Sequence, residues 1–241
     1  MLQSPVAILT GATGGIGRAL AHTLDERGYR LLVHGFDTVE AGKELQDSLK
    51  CALYFDSDLS TQEGAMLLAQ ETRETFGRID LLVNNAAVGI PLEHGNIAGV
   101  TPEFFQLALS VNLLGPWFMT QACAPDLRDT RGSVINMSSM AASTVSGSSI
   151  PYAVSKAGLE HLTRLLAVAM GPEVRVNALA PGLVDTERTR AWEHLRKEVI
   201  QSSPMRRSGT PEDVARACMS LIDSPYTTGA TLPVDGGQRL V

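Results

Sequence analysis

Short apolar runs alternate along this chain with longer segments whose apolar residues recur at helical spacing. The runs lie at residues 6–10, 31–35, 52–56, 79–84, 133–137, 174–178 and 230–234, and they predict seven strands. Most are apolar at successive positions rather than at every second one, the mark of strands covered on both faces. Helical periodicity fills the gaps at 15–27, 39–49, 61–76, 105–127, 152–170 and 211–222. Strand and helix in strict alternation predict an α/β architecture, a parallel sheet wrapped by helices on both sides. Two stretches break the rhythm: residues 88–102, rich in Gly and Pro, and 182–204, which carries a charged helical piece at 187–201. Both follow strands, where open parallel sheets bind ligands, so they read either as pocket walls or as surface insertions.

Composition narrows the class. The chain has 241 residues, 44% hydrophobic and 19% charged, enough for one large core, and residues 1–241 are expected to form a single domain with a lid at about 183–204. The net charge of −6 and the scattered basic residues give no nucleic-acid footprint. The longest apolar run falls far short of the roughly 18 residues needed to span a bilayer, and residues 1–10 show no basic stretch of a leader. Cys51, Cys123 and Cys218 lie far apart in sequence, and the five histidines show no ligand spacing. No metal site, no disulfide framework and a cytoplasmic setting are the expectations.

The chemistry begins after the first strand, at Thr10-Gly11-Ala12-Thr13-Gly14-Gly15-Ile16-Gly17-Arg18. Glycines permit close backbone approach, and the helix that follows offers unpaired N–H groups to a pyrophosphate. Such turns also end strands for purely structural reasons; the strand before and the helix after favour a dinucleotide. Further on, Tyr152 and Lys156 stand four apart at the start of a helix and project from one face. Thirteen residues before Tyr152, Ser138-Ser139 closes the fifth strand at the same carboxyl edge.

Taken in order along nearly the whole chain, these segments resemble the short-chain dehydrogenase/reductase family. The family's pattern appears as Thr10 to Gly17, Asp58-Leu59, Asn84-Asn85-Ala86, Asn112, Ser139, Tyr152 with Lys156, and Pro181-Gly182. The later Pro204-Met205-Arg206-Arg207-Ser208-Gly209 and Val234-Asp235-Gly236-Gly237 resemble the branch holding the 3-oxoacyl-acyl-carrier-protein reductases, though many alcohol, sugar and steroid dehydrogenases share them. The resemblance implies a Rossmann-type doubly wound sheet and NAD(P)(H)-dependent interconversion of a ketone and a secondary alcohol. It implies Tyr152 as general acid/base, Lys156 as the cation that favours its phenolate, Ser139 on the substrate oxygen, and Asn112 positioning a water that leads to solvent. It also implies cofactor contacts from Gly11, Thr13, Gly14, Gly15, Ile16, Gly17, Gly35, Phe36, Asp58, Leu59, Asn85, Ala86, Pro181, Gly182, Val184 and Thr186, besides Tyr152 and Lys156. Ser138 is the alternative to Ser139, and Asn84 and Asn85 read as braces of the strand end. Ala87 departs from the glycine that the family commonly places there.

Family register puts Gly35 where an NAD-type carboxylate would stand and Phe36 where a common NADP-type arginine would stand. Asp37 lies two positions beyond that register and can curl back; His34 and Arg18 are candidates to help bind a 2′-phosphate. The reading leans to NADP(H) over NAD(H). Val88, Ile90, Met140, Ala141 and Leu183 are expected in a largely apolar pocket for a small-molecule carbonyl or alcohol, with Trp192 and His194 either touching substrate or packing in the lid. Acyl carrier protein is a possible partner, served by Arg128, Arg131, Arg206 or Arg207 on an outer face. The long helices at 105–127 and 152–170 have broad apolar faces, and by resemblance a homotetramer or homodimer follows. The rival from another class is a dinucleotide-sensing regulator or scaffold without catalysis, which would need the glycine turn but not the acid and its cation.

Overall fold

The apolar runs become β1 (Val6–Leu9), β2 (Arg30–Gly35), β3 (Ala52–Asp56), β4 (Leu81–Asn84), β5 (Ser133–Met137), β6 (Arg175–Pro181) and β7 (Thr231–Val234) in a computed structural model that describes residues 4–241. Of the stretch 1–10 inspected for a leader, residues 1–3 lie outside the described residues. All neighbouring strands pair in parallel, in the order β3-β2-β1-β4-β5-β6-β7. The order reverses direction between β1 and β4, and a crevice opens there at the carboxyl ends.

Side chains of one strand alternate between two cores. Ala7 and Leu9 of β1 face a cluster with Leu20 and Leu24 of α1 (Gly15–Glu26), Leu45 of α2 (Val39–Asp47) and Val214 and Cys218 further along the chain. Val6 and Ile8 face the opposite cluster, with Leu68 of α3 (Gln62–Phe76) and with Met119, Cys123 and Leu166. Each fully buried leucine contributes roughly 1.5–3 kcal/mol, so these two layers hold the helices firmly on the sheet and fix its carboxyl edge.

The helical segment expected at 105–127 is longer and broken. It runs as α4 (Pro102–Leu109), capped by Thr101, then a wide π turn over Ser110–Leu114, then α5 (Gly115–Thr130). Pro116 supplies a reason: it has no N–H to give to the Asn112 carbonyl four residues back, so the α-helical ladder cannot pass this point. The remaining helices are α6 (Ile150–Met170), α7 (Glu193–Ser202) and α8 (Pro211–Ile222), the last opened by a capping box between Thr210 and Asp213. The charged piece expected as one helix over 187–201 splits into a single 3₁₀ turn, Glu187–Thr189, and α7. Among the described residues no helix is long and apolar enough to cross a membrane.

A buried polar chain fixes α6 on the sheet. Asn84 Nδ2 donates to Asn136 Oδ1 at 2.9 Å, Asn136 Nδ2 donates to Thr163 Oγ1 at 2.9 Å, and Thr163 Oγ1 donates to the Leu159 carbonyl at 2.8 Å. All three side chains are buried, so truncating the middle one strands polar groups on both sides. Asn136→Ala is expected to lower the free energy of unfolding by about 2 kcal/mol in urea titrations; a loss under about 0.5 kcal/mol would show that the chain does not brace the helix.

Candidate active site

The glycine turn is shaped by what a β-carbon would strike. On Gly17 it would lie 2.2 Å from the Gly11 carbonyl, and on Gly11, which sits at φ +61°, it would lie 2.7 Å from Ala86 Cα. Asn85 locks that contact: its Nδ2 donates to the Thr10 and Gly11 carbonyls at 3.0 and 2.9 Å, and its N–H reaches Thr10 Oγ1 at 2.9 Å. Gly14 precedes α1 without a capping side chain, so the first N–H groups of the helix are left for an anion. Opposite, Thr186 closes over the turn; a β-carbon on Gly15 would come within 2.8 Å of its methyl group.

One cleft of about 2010 Å³ joins this turn to the ends of β4 and β5, the start of α6 and the segment 186–202. Of the residues expected at the cofactor, all but Leu59 line it; Leu59 is buried beneath, in the core with Leu68. Ile90 and Asp37 also stand outside the lining, Asp37 at φ 55°, whereas Val88, Met140, Ala141, Leu183, Trp192 and His194 belong to it. His34 borders the cleft, but its ring is buried and both nitrogens are engaged by backbone, so it presents no free edge to a ribose phosphate.

Ser139, Tyr152 and Lys156 share one wall of the cleft. The two serines differ in what their hydroxyls are committed to. Ser138 also borders the cleft, but it is buried and its hydroxyl proton is engaged by Glu160 Oε1 at 3.0 Å. Ser139 accepts from the Ala141 N–H at 3.2 Å, which leaves its own proton to donate. Lys156 is only 2% exposed; its Nζ donates to the Met137 carbonyl at 2.6 Å and stands 5.7 Å from the Tyr152 ring centroid. Burial, with a smaller push from the Arg188 guanidinium, brings its pKa down to about 7.

Asn112 does not line the cleft; it is fully buried and its side chain is committed. Its Oδ1 accepts from Val88 N–H at 2.8 Å, while Nδ2 donates to the Val88 carbonyl at 2.8 Å and to Ser155 Oγ at 3.0 Å. Ser155 in turn donates to the Tyr152 carbonyl at 2.7 Å. Asn112 therefore braces the segment that follows β4 and, through Ser155, the start of α6, while Pro116 has no N–H to give to its main-chain carbonyl. Sequence reading passed over Ser155, because a contact 43 residues away along the chain has no local signal. It also passed over Arg188, whose Nη1 donates to the Ala87 carbonyl at 3.4 Å across the cleft.

The fold and this geometry agree with what is known of other proteins. The sequence-family model described as Enoyl-(Acyl carrier protein) reductase matches residues 11–239. A ketoacyl reductase named for the granaticin polyketide synthase of Streptomyces violaceoruber is 44% identical over 99% of this chain and 98% of its own. The chain belongs to the short-chain dehydrogenase/reductase family. A short-chain dehydrogenase/reductase of known structure from Burkholderia xenovorans superposes with a TM-score of 0.93 over 100% of both chains, at 30% identity. The L-fucose dehydrogenase of Oryctolagus cuniculus is also 30% identical, over 98% of this chain and 85% of its own. Like other members of the family, this short-chain dehydrogenase/reductase is an NAD(P)-dependent oxidoreductase, and the glycine cradle and free helix N-terminus fit the dinucleotide.

Lys156 yields a prediction with a definite sign. Its folded pKa of about 7 lies below the ordinary 10.5, so its contribution to stability is complete above about 10.5 and is lost as the pH falls through about 7. Lys156→Met removes the buried charge. The variant's melting temperature is expected to exceed that of the wild type by about 3 °C or more at pH 6, with a smaller gain at pH 9.5; a gain that grew with pH would contradict the burial account.

Proposed function

We propose that this enzyme reduces the ketone of a 3-oxoacyl thioester to the secondary alcohol, with NADPH as preferred reductant. The glycine turn and the start of α1 would hold the pyrophosphate of the dinucleotide, whose nicotinamide would supply the hydride. Negative charge then builds on the substrate oxygen, which needs a hydrogen bond and a proton. Ser139 donates the hydrogen bond and Tyr152 gives the proton. Lys156 stabilises the phenolate that remains, and a water held by the Asn112 carbonyl returns the proton from solvent. The observation that carries these roles is that Ser139, Tyr152 and Lys156 line the same cleft as the glycine turn, with the lysine cation desolvated beside the tyrosine ring. A sensor of dinucleotides has no use for that arrangement.

NADPH is favoured because no carboxylate occupies position 35, and Arg18, held at its guanidinium by the Thr13 and Ala41 carbonyls, borders the same end of the cleft. The thioester is favoured by the apolar lining from Val88, Leu92, Leu107, Val111 and Trp192 and by the ketoacyl reductase among the relatives. Tyr152→Phe is expected to cut turnover of a 3-oxoacyl thioester at least about 100-fold while the Kd for NADPH stays within about twofold. Turnover that survives this change, or NADH preferred to NADPH in the wild type, would refute the corresponding part.

The assembly proposed is a tetramer. Its support is the apolar surface left on α5 and α6, where Trp117, Leu165 and Val168 are 39, 55 and 84% exposed. Sedimentation equilibrium is expected to give four chains, and Leu165→Glu with Val168→Glu to give fewer; a monomer in the wild type would exclude it.

A further inference from the structure

His34 stands near the end of β2, inside the fold, and touches no part of Ser139, Tyr152 or Lys156. Its environment is nevertheless specific. The Gly11 N–H donates to Nδ1 at 3.3 Å, the Ala12 N–H donates to the His34 carbonyl at 2.8 Å, and Nε2 lies 2.8 Å from the Ser57 carbonyl. A backbone N–H needs an acceptor and a carbonyl needs a donor, so only one form of the ring satisfies both ends: neutral, with the proton on Nε2. The ring is 2% exposed, and burial holds its pKa below the usual histidine value. That burial outweighs the hydrogen bond to the Ser57 carbonyl and the charges of Asp56 and Asp58 at the end of β3, all of which favour the imidazolium; Arg18 of α1 borders the same cleft.

The two backbone groups that the ring joins belong to different parts of one binding surface. Gly11 begins the turn that cradles the phosphates, and Ser57 directly precedes Asp58, which lines the cleft at the end of β3. We infer that His34 is a positioning residue for the dinucleotide: its neutral ring, oriented by the Ser57 carbonyl, presents the acceptor that holds the Gly11 N–H and with it the phosphate cradle. The inference rests on dinucleotide binding at this cleft. Loss of the acceptor nitrogen, by substitution or by protonation, leaves the Gly11 N–H without a partner and loosens the cradle.

Three substitutions separate the two ends of the ring. In His34→Asn the amide oxygen replaces Nδ1 and keeps the Gly11 bond; in His34→Gln the amide reaches the Ser57 carbonyl and the Gly11 bond is lost; in His34→Phe both are lost. NADH serves as the probe, since it lacks the 2′-phosphate that titrates near pH 6. Its Kd, read by nicotinamide fluorescence at pH 7.5, is expected to rise about tenfold in His34→Gln and His34→Phe and to stay within about threefold in His34→Asn, with the kinetic loss in KM for the dinucleotide rather than in kcat. As the pH is lowered from 7.5 to 5, NADH affinity is expected to fall in the wild type and to hold in His34→Asn. A folded His34→Phe with wild-type affinity, equal losses in His34→Asn and His34→Gln, or identical acid limbs in wild type and His34→Asn would overturn the assignment. Where His34→Phe fails to fold, judged by far-UV circular dichroism, the Asn and Gln pair decides alone. A wild type that binds neither NADH nor NADPH would instead refute the dinucleotide reading itself.

Discussion

Backbone meets backbone at Gly11 more closely than any side chain would allow, and the working end of the molecule depends on that approach. The turn after β1 lies against Ala86 at the end of β4 and folds back so far that Gly17 touches the Gly11 carbonyl. Without β-carbons at these points, α1 can start at the sheet edge with its N–H groups aimed into the crevice. Asn85 and Thr10 then hold the two strand ends in register through four hydrogen bonds. A change of an ångström here would displace the cofactor from everything downstream, because the reacting groups are fixed to other strands.

The second constraint is electrostatic. Lys156 lies in the first half of α6 with almost no water around it, and a desolvated ammonium is costly unless something compensates. The Met137 carbonyl and the Tyr152 ring do so in part, and the rest of the cost appears as the lowered pKa. A cation held this way responds strongly to a neighbouring negative charge, which is what a tyrosinate or a carbonyl oxygen under reduction would supply. The surrounding polar chains are spent on rigidity. Asn84, Asn136 and Thr163 tie α6 to the sheet from below, while Asn112 and Ser155 hold its first turn from the side.

Much of this was legible in the order of residues. Seven apolar runs with helices between them predict the parallel sheet, since strands buried on both faces have no other reason to be so continuously apolar. Tyr152, Lys156 and Ser139 could be named from spacing and resemblance, and the helix and strand that carry them bring them to one cleft. The failures have physical causes. The helix at 105–127 looked continuous because periodicity does not register a missing N–H; Pro116 breaks its ladder at the position that matters. Leu59 was expected at the cofactor and packs in the core with Leu68 instead; it sits in the turn after β3, where no strand alternation reports which way a side chain points. His34 was considered for the rim and is turned inward, where its bonds to Gly11 and Ser57 join residues 23 apart on either side. Contacts between segments distant in the chain leave no trace in local pattern, and Ser155 and Arg188 were missed for that reason.

The central claim is that one cleft both holds a reduced nicotinamide and delivers its hydride to a ketone beside Tyr152. Labelled transfer tests it most directly. NADPH carrying deuterium at C4 would be mixed with the enzyme and a 3-oxoacyl N-acetylcysteamine thioester, and the product analysed by mass spectrometry. The account predicts a 3-hydroxyacyl thioester with one deuterium at C3 when the transferred face is labelled, and none when the opposite face is. Tight NADPH binding with no deuterium in the product of this thioester or of any simple ketone would contradict it.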